Sequence, residues 1–290
     1  MEEMALLGIP FNGDGTPPTQ ENPAAALRDA GLVGSLRSCG ISVRDYGDID
    51  IPPFEGSRDP ETQVLNLSAW IEMSKAAAEK VRRIGSGKEF LVVLGGDCSI
   101  LLGIFGALSL DHRNVGLVFL DGHTDYRAPE TSETGEPADI ELAVLTGNGP
   151  QRLVGMFEKK PLVGEDRVIA FGFREPDLIA ESGIRCFDRN AIGEIGIAQA
   201  VNAGLTYLGR SHPLWLHFDV DVLDPTVMPV NFPEADGLSL QEAEEFLSAC
   251  LSHRCFLGLS VACYHPALDP AGIAAGRLVS LLSSVLSGGA

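Results

Sequence analysis

Two short runs, FLVVL at 90–94 and GLVFL at 116–120, are apolar at every position. A strand with one face in water alternates apolar and polar residues, so a strand with no polar position must be covered on both faces. Short β-branched and apolar runs, not all free of polar residues, at 4–8, 41–46, 167–172, 214–219 and 256–262 join strands at 90–94 and 115–120 to give seven predicted strands. Helical spacing fills the intervals near 23–38, 61–84, 99–109, 192–208, 240–252 and 271–286. Ser239 and Glu242 form a capping-box signature, and Pro23 suits a first helical turn. Alternating units of this kind predict an α/β fold with a doubly wound, mostly parallel sheet.

No linker or repeat divides the 290 residues, and the expectation is one domain over 1–290. The segments 51–60 and 128–139 are polar and punctuated by Pro and Gly, as long loops are. Lys and Arg number 21 against 40 Asp and Glu, a net charge of −19. Such an excess of acid argues against nucleic acid or an anionic membrane as partner. The opening MEEMALLGIPF lacks a basic start and a long apolar run, so no signal peptide is expected, and no stretch reaches ~20 apolar residues. Six cysteines without CxxC spacing read as reduced thiols of a cytoplasmic protein.

Three clusters of metal-ligating residues each follow an apolar run: Asp97-Cys98 after 90–94, Asp121, His123 and Asp125 after 115–120, and Asp219 and Asp221 closing 214–219. Open parallel sheets bind ligands at the carboxyl ends of their strands. The i, i+2, i+4 spacing of Asp121, His123 and Asp125 places all three on one face if the backbone stays extended. Each cluster alone reads more readily as a helix cap, a turn or a packed thiol than as a site. Together they are a ligand set of oxygen, imidazole and thiolate large enough for two divalent ions. Burying that many acids without a counter-ion would be very costly.

The motifs LGGDCSI at 94–100, LDGHTDYRAPE at 120–130 and HFDVDVLDP at 217–225 resemble the GGDHS, DAHxD and SxDxDxxDP of the ureohydrolase family (arginase, agmatinase, formimidoylglutamase), in the family's order from about residue 5 to the C-terminus. The resemblance implies a three-layer α/β/α sandwich with about eight strands and a two-manganese site hydrolysing a guanidino or amidino carbon. By motif, Cys98 and Asp125 would bind one ion, His123 and Asp221 the other, and Asp121 and Asp219 would bridge. Asp224, before Pro225, supports a turn. The implied chemistry is two-metal activation of water against a poor electrophile. Family members often form trimers or hexamers, so a homo-oligomer is an expectation.

Three departures bear on that expectation. Cys98 replaces the usual histidine, which leaves the loaded centre one unit more negative and predicts a weaker acid in the bridging water. A thiolate is softer than manganese prefers, so zinc and iron(II) stay open. Ala138 stands where many members carry a histidine proton shuttle, with His217, Glu136 and Glu141 as candidate substitutes. Cys263, in VACYHP, replaces the carboxylate that grips a guanidinium, which favours an N-hydroxyguanidine or amidine over plain arginine. For an amino-acid head group the candidates are Arg127 and Asp177, with Thr134 and Glu136 lining the pocket from the same loop as Arg127. Two other functions compete: a weakened relative kept as a binding or regulatory protein, and a single-zinc deacylase.

Overall fold

The computed structural model describes residues 3–85, 89–112, 114–175, 178–209, 212–253 and 255–288. Among these residues eight strands form one parallel sheet: β1 (Glu3–Ile9), β2 (Ser42–Asp48), β3 (Phe90–Gly95), β4 (Gly116–Leu120), β5 (Val168–Phe171), β6 (Arg185–Phe187), β7 (Leu214–Asp219) and β8 (Phe256–Ala262). Their order across the sheet is β2-β1-β3-β8-β7-β4-β5-β6, with every pairing parallel. The sequence pattern anticipates seven of these. The eighth, β6, is a three-residue edge strand that begins with an exposed Arg185, too short to show a period.

The all-apolar strands divide their side chains between two cores, one per face. Val92, Leu94, Val118, Leu120, Leu216 and Phe218 face one core. Leu91, Val93, Leu117, Phe119 and Trp215 face the other. Against the first face pack α1 (Pro23–Asp29), α2 (Leu32–Ser38), α8 (Ile197–Leu208), α9 (Leu240–Leu251) and α10 (Ile273–Gly288). Against the second pack α3 (Leu67–Gly85), α4 (Leu101–Asp111) and α5 (Glu141–Leu145). The remaining helices, α6 (Gln151–Val154) and α7 (Arg189–Ile195), are short. Period 2 within an unbroken apolar run is the signature of a sheet buried on both sides.

Two predicted helices are each broken in two. Gly31 at φ 95° separates α1 from α2, and Gly196 at φ 84° separates α7 from α8. Both glycines take a conformation that costs other residues ~1 kcal/mol or more, so the turn was written in the sequence as a residue type and hidden by the apolar period around it. The predicted helix at 61–84 starts only at Leu67, because Asn66 sits at φ 52° and spends its side chain on Gly56 and Gly13 of neighbouring loops. The Ser239/Glu242 capping box is present in full, and Pro23 opens α1 behind an Asn22 cap. Among the described residues no helix is long and apolar enough to cross a membrane.

Candidate metal centre

Four adjacent central strands, β3, β8, β7 and β4, deliver the site from their carboxyl ends. After β3 the chain turns through Gly96, where an added Cβ would lie 2.0 Å from the Phe11 carbonyl oxygen; only glycine permits that approach. The Asp97 carboxylate then accepts the Ser99 N–H at 3.0 Å and the Gly13 N–H, which fixes the one-turn helix beginning at Cys98.

After β4, Asp121 Oδ1 accepts the His123 N–H at 2.7 Å. After β7, Asp219 Oδ1 likewise accepts the Asp221 N–H at 2.7 Å. Both acidic clusters are therefore tight side-chain-to-backbone turns, not extended runs. Asp125 lies at φ 45°, so it reaches the centre through a left-handed turn and not by the extended spacing expected from sequence. The Gly122 N–H donates to Asp221 Oδ1 at 2.9 Å and ties the two turns together.

Six side chains converge. Cys98 Sγ lies 2.6 Å from Asp219 Oδ2 and 3.7 Å from Asp121 Oδ2. His123 Nδ1 lies 2.7 Å from Asp221 Oδ2 and 4.0 Å from Asp121 Oδ1. Donor atoms of Cys98, Asp121, His217 and Asp219 fall within 4.8 Å of one another, as do those of Asp121, His123 and Asp221, and those of Cys98, Asp125 and Glu141.

The electrostatics are those of a site short of positive charge. Burial, followed by the charges of neighbouring carboxylates, pushes Asp121, Asp125 and Asp219 well above the usual carboxylate range. Burial, Cys263 and Asp219 push the Cys98 thiol well up. Burial would also raise Asp221, but the hydrogen bond and charge of His123 and the Gly122 N–H bring it below its ordinary value. Reciprocally, burial opposes protonation of His123, and Asp221, Asp121 and Glu234 outweigh it, raising its pKa to about 9. Glu141 is 0% exposed, and no hydrogen bond of ordinary length and angle reaches either of its oxygens. Converging carboxylates, a thiol and an imidazole, with an orphaned carboxylate beside them, fit a pair of divalent cations.

Behind this layer two polar side chains interrupt the otherwise apolar face. Trp215 Nε1 donates to Ser260 Oγ at 2.9 Å, and Ser260 Oγ lies 2.8 Å from His217 Nδ1. The indole can only donate, and no other acceptor for the buried serine hydroxyl lies within reach among the described residues, so the arrangement that satisfies all three groups sends the serine proton to His217 Nδ1. That leaves the imidazole proton on Nε2, which points at Cys98 Sγ 3.1 Å away. His217 is fully buried, stacks on Phe119 and is absent from the cavity wall, and burial lowers its pKa to about 3. This placement does not suit the proton-shuttle role expected for His217: an imidazole sealed behind Cys98 cannot reach a substrate.

In front of the layer is a cavity of about 730 Å³, walled by Cys98, His123, Asp125, Asp219 and Asp221 at its floor. Glu136, Thr134, Arg127 and Ala138 line it as well. Burial, then the charges of Asp97, Asp139 and Asp14, raises the Glu136 carboxyl to about 7. The Thr134 hydroxyl is committed, donating to Asp139 at 2.7 Å and accepting the Glu136 N–H at 3.0 Å. Arg127 is exposed, and its backbone N–H donates to Asp139. Asp177 lies outside the described residues. Cys263, at φ 61°, lines the cavity with its Sγ 3.7 Å from that of Cys98.

Sequence reasoning missed Ser260, Arg174 and Glu234. Ser260 had a signal, a lone hydroxyl inside the apolar run of β8. Arg174 donates to the backbone oxygens of Asp221 and Val222, and its guanidinium fills the space beside Gly122: an added Cβ there would lie 2.0 Å from Arg174 Nη1. Glu234 approaches His123 Nε2 at 3.7 Å from a loop with no pattern of its own.

The model of the arginase family matches residues 2–287. Arginase of Bacillus subtilis (strain 168) is 30% identical over 247 residues, covering 83% of this chain and 82% of the relative. Arginase of Brevibacillus brevis is 28% identical over 291 residues, covering 98% and 97%. The crystal structure of arginase from Bacillus cereus superposes with a TM-score of 0.87 at 27% identity, covering 98% of each chain. The fold, the motif order and these likenesses agree, and the chain belongs to the arginase family, whose members are hydrolases of C–N bonds in linear amidines.

Proposed function

We propose that this chain is a two-manganese amidinohydrolase acting on a guanidino compound, with an N-hydroxyguanidino amino acid such as N-hydroxyarginine favoured over arginine. The observation that carries this reading is the convergence of Cys98, Asp121, His123, Asp125, Asp219 and Asp221, all but Asp121 on the floor of one open cavity. Cys98 and Asp125 would hold one ion and His123 and Asp221 the other, with Asp121 and Asp219 between them. When bound, such a pair supplies an acidified water and stabilises charge that develops on the substrate.

The chain's own residues do the rest. Asp121 and Asp219 are kept in place by accepting backbone N–H groups two residues on. His217 Nε2–H holds the Cys98 sulfur, with Ser260 fixing the ring's tautomer. Glu136, with its pKa raised to about 7 at the cavity wall, carries the proton for the departing amine that Ala138 cannot carry. Arg127 lines the cavity, and its guanidinium would pair with a substrate carboxylate there. Thr134 braces the loop that presents Glu136 and does not offer its proton to substrate.

The substrate preference rests on Cys263. A thiol beside the ion site offers a guanidinium no salt bridge, and a less basic N-hydroxyguanidine loses less by that. The test is turnover by manganese-loaded protein of arginine, N-hydroxyarginine, agmatine and a formimidoyl compound, read as urea, hydroxyurea or amine. Hydroxyurea release is expected to dominate. Brisk hydrolysis of arginine with N-hydroxyarginine inert would overturn the preference; inertness toward all four would favour a binding role. Glu136→Gln is expected to lower kcat by about 10²-fold or more and to leave KM nearly unchanged.

A further inference from the structure

Glu141 has no part in that reading, yet it is the side chain the structure leaves most conspicuously unsatisfied. It opens α5 directly above Asp125, and the Leu142 N–H donates to the Asp125 carbonyl at 3.1 Å, which binds the helix to the turn. Its carboxylate is thereby set within 4.8 Å of donor atoms of both Asp125 and Cys98. It is wholly buried and absent from the cavity wall, so neither substrate nor cavity water is its partner, which also removes it as a proton carrier to substrate. Both oxygens lack a hydrogen bond of ordinary geometry. A carboxylate buried away from water and facing a second one, here Asp125 at the cavity floor, must share either a proton or a cation with it.

We propose that Glu141 is a seventh protein ligand of the centre, holding the Cys98/Asp125 ion from the side away from the cavity. The inference rests on the two-ion reading above. Its chemistry answers the oddity of Cys98. A thiolate draws a site toward soft ions, and an added carboxylate restores the hard oxygen donors that manganese prefers. The half of the centre that lost an imidazole would thus have gained an oxygen ligand from an unrelated element.

Equilibrium dialysis with Mn2+, and titration with Co2+ while following the thiolate-to-cobalt absorption, test it without recourse to activity. Wild-type protein is expected to take up two ions per chain. Glu141→Gln is expected to hold one as before and the other at least ~100-fold more weakly, beyond the range of a merely supporting group, with the thiolate–cobalt band displaced to higher Co2+ by the same factor. Glu141→Asp should recover part of the loss. Independently of any variant's folding, a crystal of wild-type protein grown with Mn2+ should show a Glu141 oxygen in contact with the ion. Unchanged affinities and an unchanged cobalt spectrum in Glu141→Gln would overturn the proposal. So would a crystal in which Glu141 and Asp125 share a proton and the ion lies out of reach. If wild-type protein takes up two ions and Glu141→Gln does too, this inference alone falls; if wild-type protein takes up none, the two-ion reading falls with it.

Discussion

The two halves of the centre solve the same problem in opposite ways. Around His123 and Asp221 the charge is balanced within the protein: imidazolium against carboxylate at 2.7 Å, a Gly122 N–H on the other oxygen, and partial exposure to the cavity. Around Cys98, Asp125 and Glu141 nearly every group is acidic, Cys98 is buried at the cavity floor and Glu141 is shut off behind it, with the His217 Nε2–H as the polar donor directed at the sulfur. An uncompensated ion in such a place costs several kcal/mol. One half can therefore stand without a cation, and the other is built to need one. That difference teaches which half must be read from charge balance and which from hydrogen bonds.

The largest blow to this contrast comes from a residue both halves share. Asp121→Asn is expected to abolish binding of both ions and to reduce activity by well over the ~100-fold typical of a supporting group, measured by metal content after dialysis and by turnover. Retention of one tight ion would show that Asp121 serves a single half. Gly122→Ala should damage one half only. Its methyl would sit 2.0 Å from Arg174 Nη1 and 2.8 Å from Asp221 Oδ1, at a cost of about 1–3 kcal/mol, visible as a lower Tm of metal-free protein. The ion at His123 should weaken while the thiolate–cobalt band keeps its midpoint.

Ser260→Ala strikes the opposite half. It leaves Trp215 Nε1 without its acceptor, about 1–3 kcal/mol, and frees the His217 tautomer that points a proton at Cys98. A ~10–100-fold weaker thiolate–cobalt site with the other ion untouched is the expected outcome in the same titration. An unaltered cobalt spectrum would mean that the relay only packs the core.

The mildest test is pH. The pKa of His123 is raised from 6.5 to about 9, so metal-free protein keeps this proton at neutral pH and an incoming ion must displace it. Apparent affinity at that half should fall at least about tenfold per pH unit on acidification below 9, and calorimetry in buffers of different ionisation enthalpy should show proton release. The sign for stability follows from the same shift. The His123–Asp221 pair supports metal-free protein fully below pH 6.5, and that support is lost as pH rises through 9.

How much of this could be read from residues alone follows the same division. Strands such as FLVVL and GLVFL announce a sheet buried on both faces, and seven of eight strands are legible because burial imposes composition. β6 is not, because three residues at an exposed edge carry no period. Helix breaks at Gly31 and Gly196 were masked by apolar spacing that continues across them. The six converging residues of the centre were legible because ligand types cluster at strand ends. Their backbone was not: two side-chain turns and a left-handed Asp125 replace the extended spacing inferred from sequence. His217 was assigned by its place on the strand face, and only packing reveals that it lies behind Cys98 and not before it. Arg174 was illegible for another reason, since it takes up space that a glycine vacates elsewhere in the chain.

The most direct measurement is the metal content of wild-type protein equilibrated with Mn2+ and freed of loose ions, paired with an anomalous difference map from the same preparation. Two ions per chain, seated among Cys98, Asp121, His123, Asp125, Asp219 and Asp221, is the predicted result. A protein that retains no manganese, or binds it only away from these side chains, would contradict the account at its root.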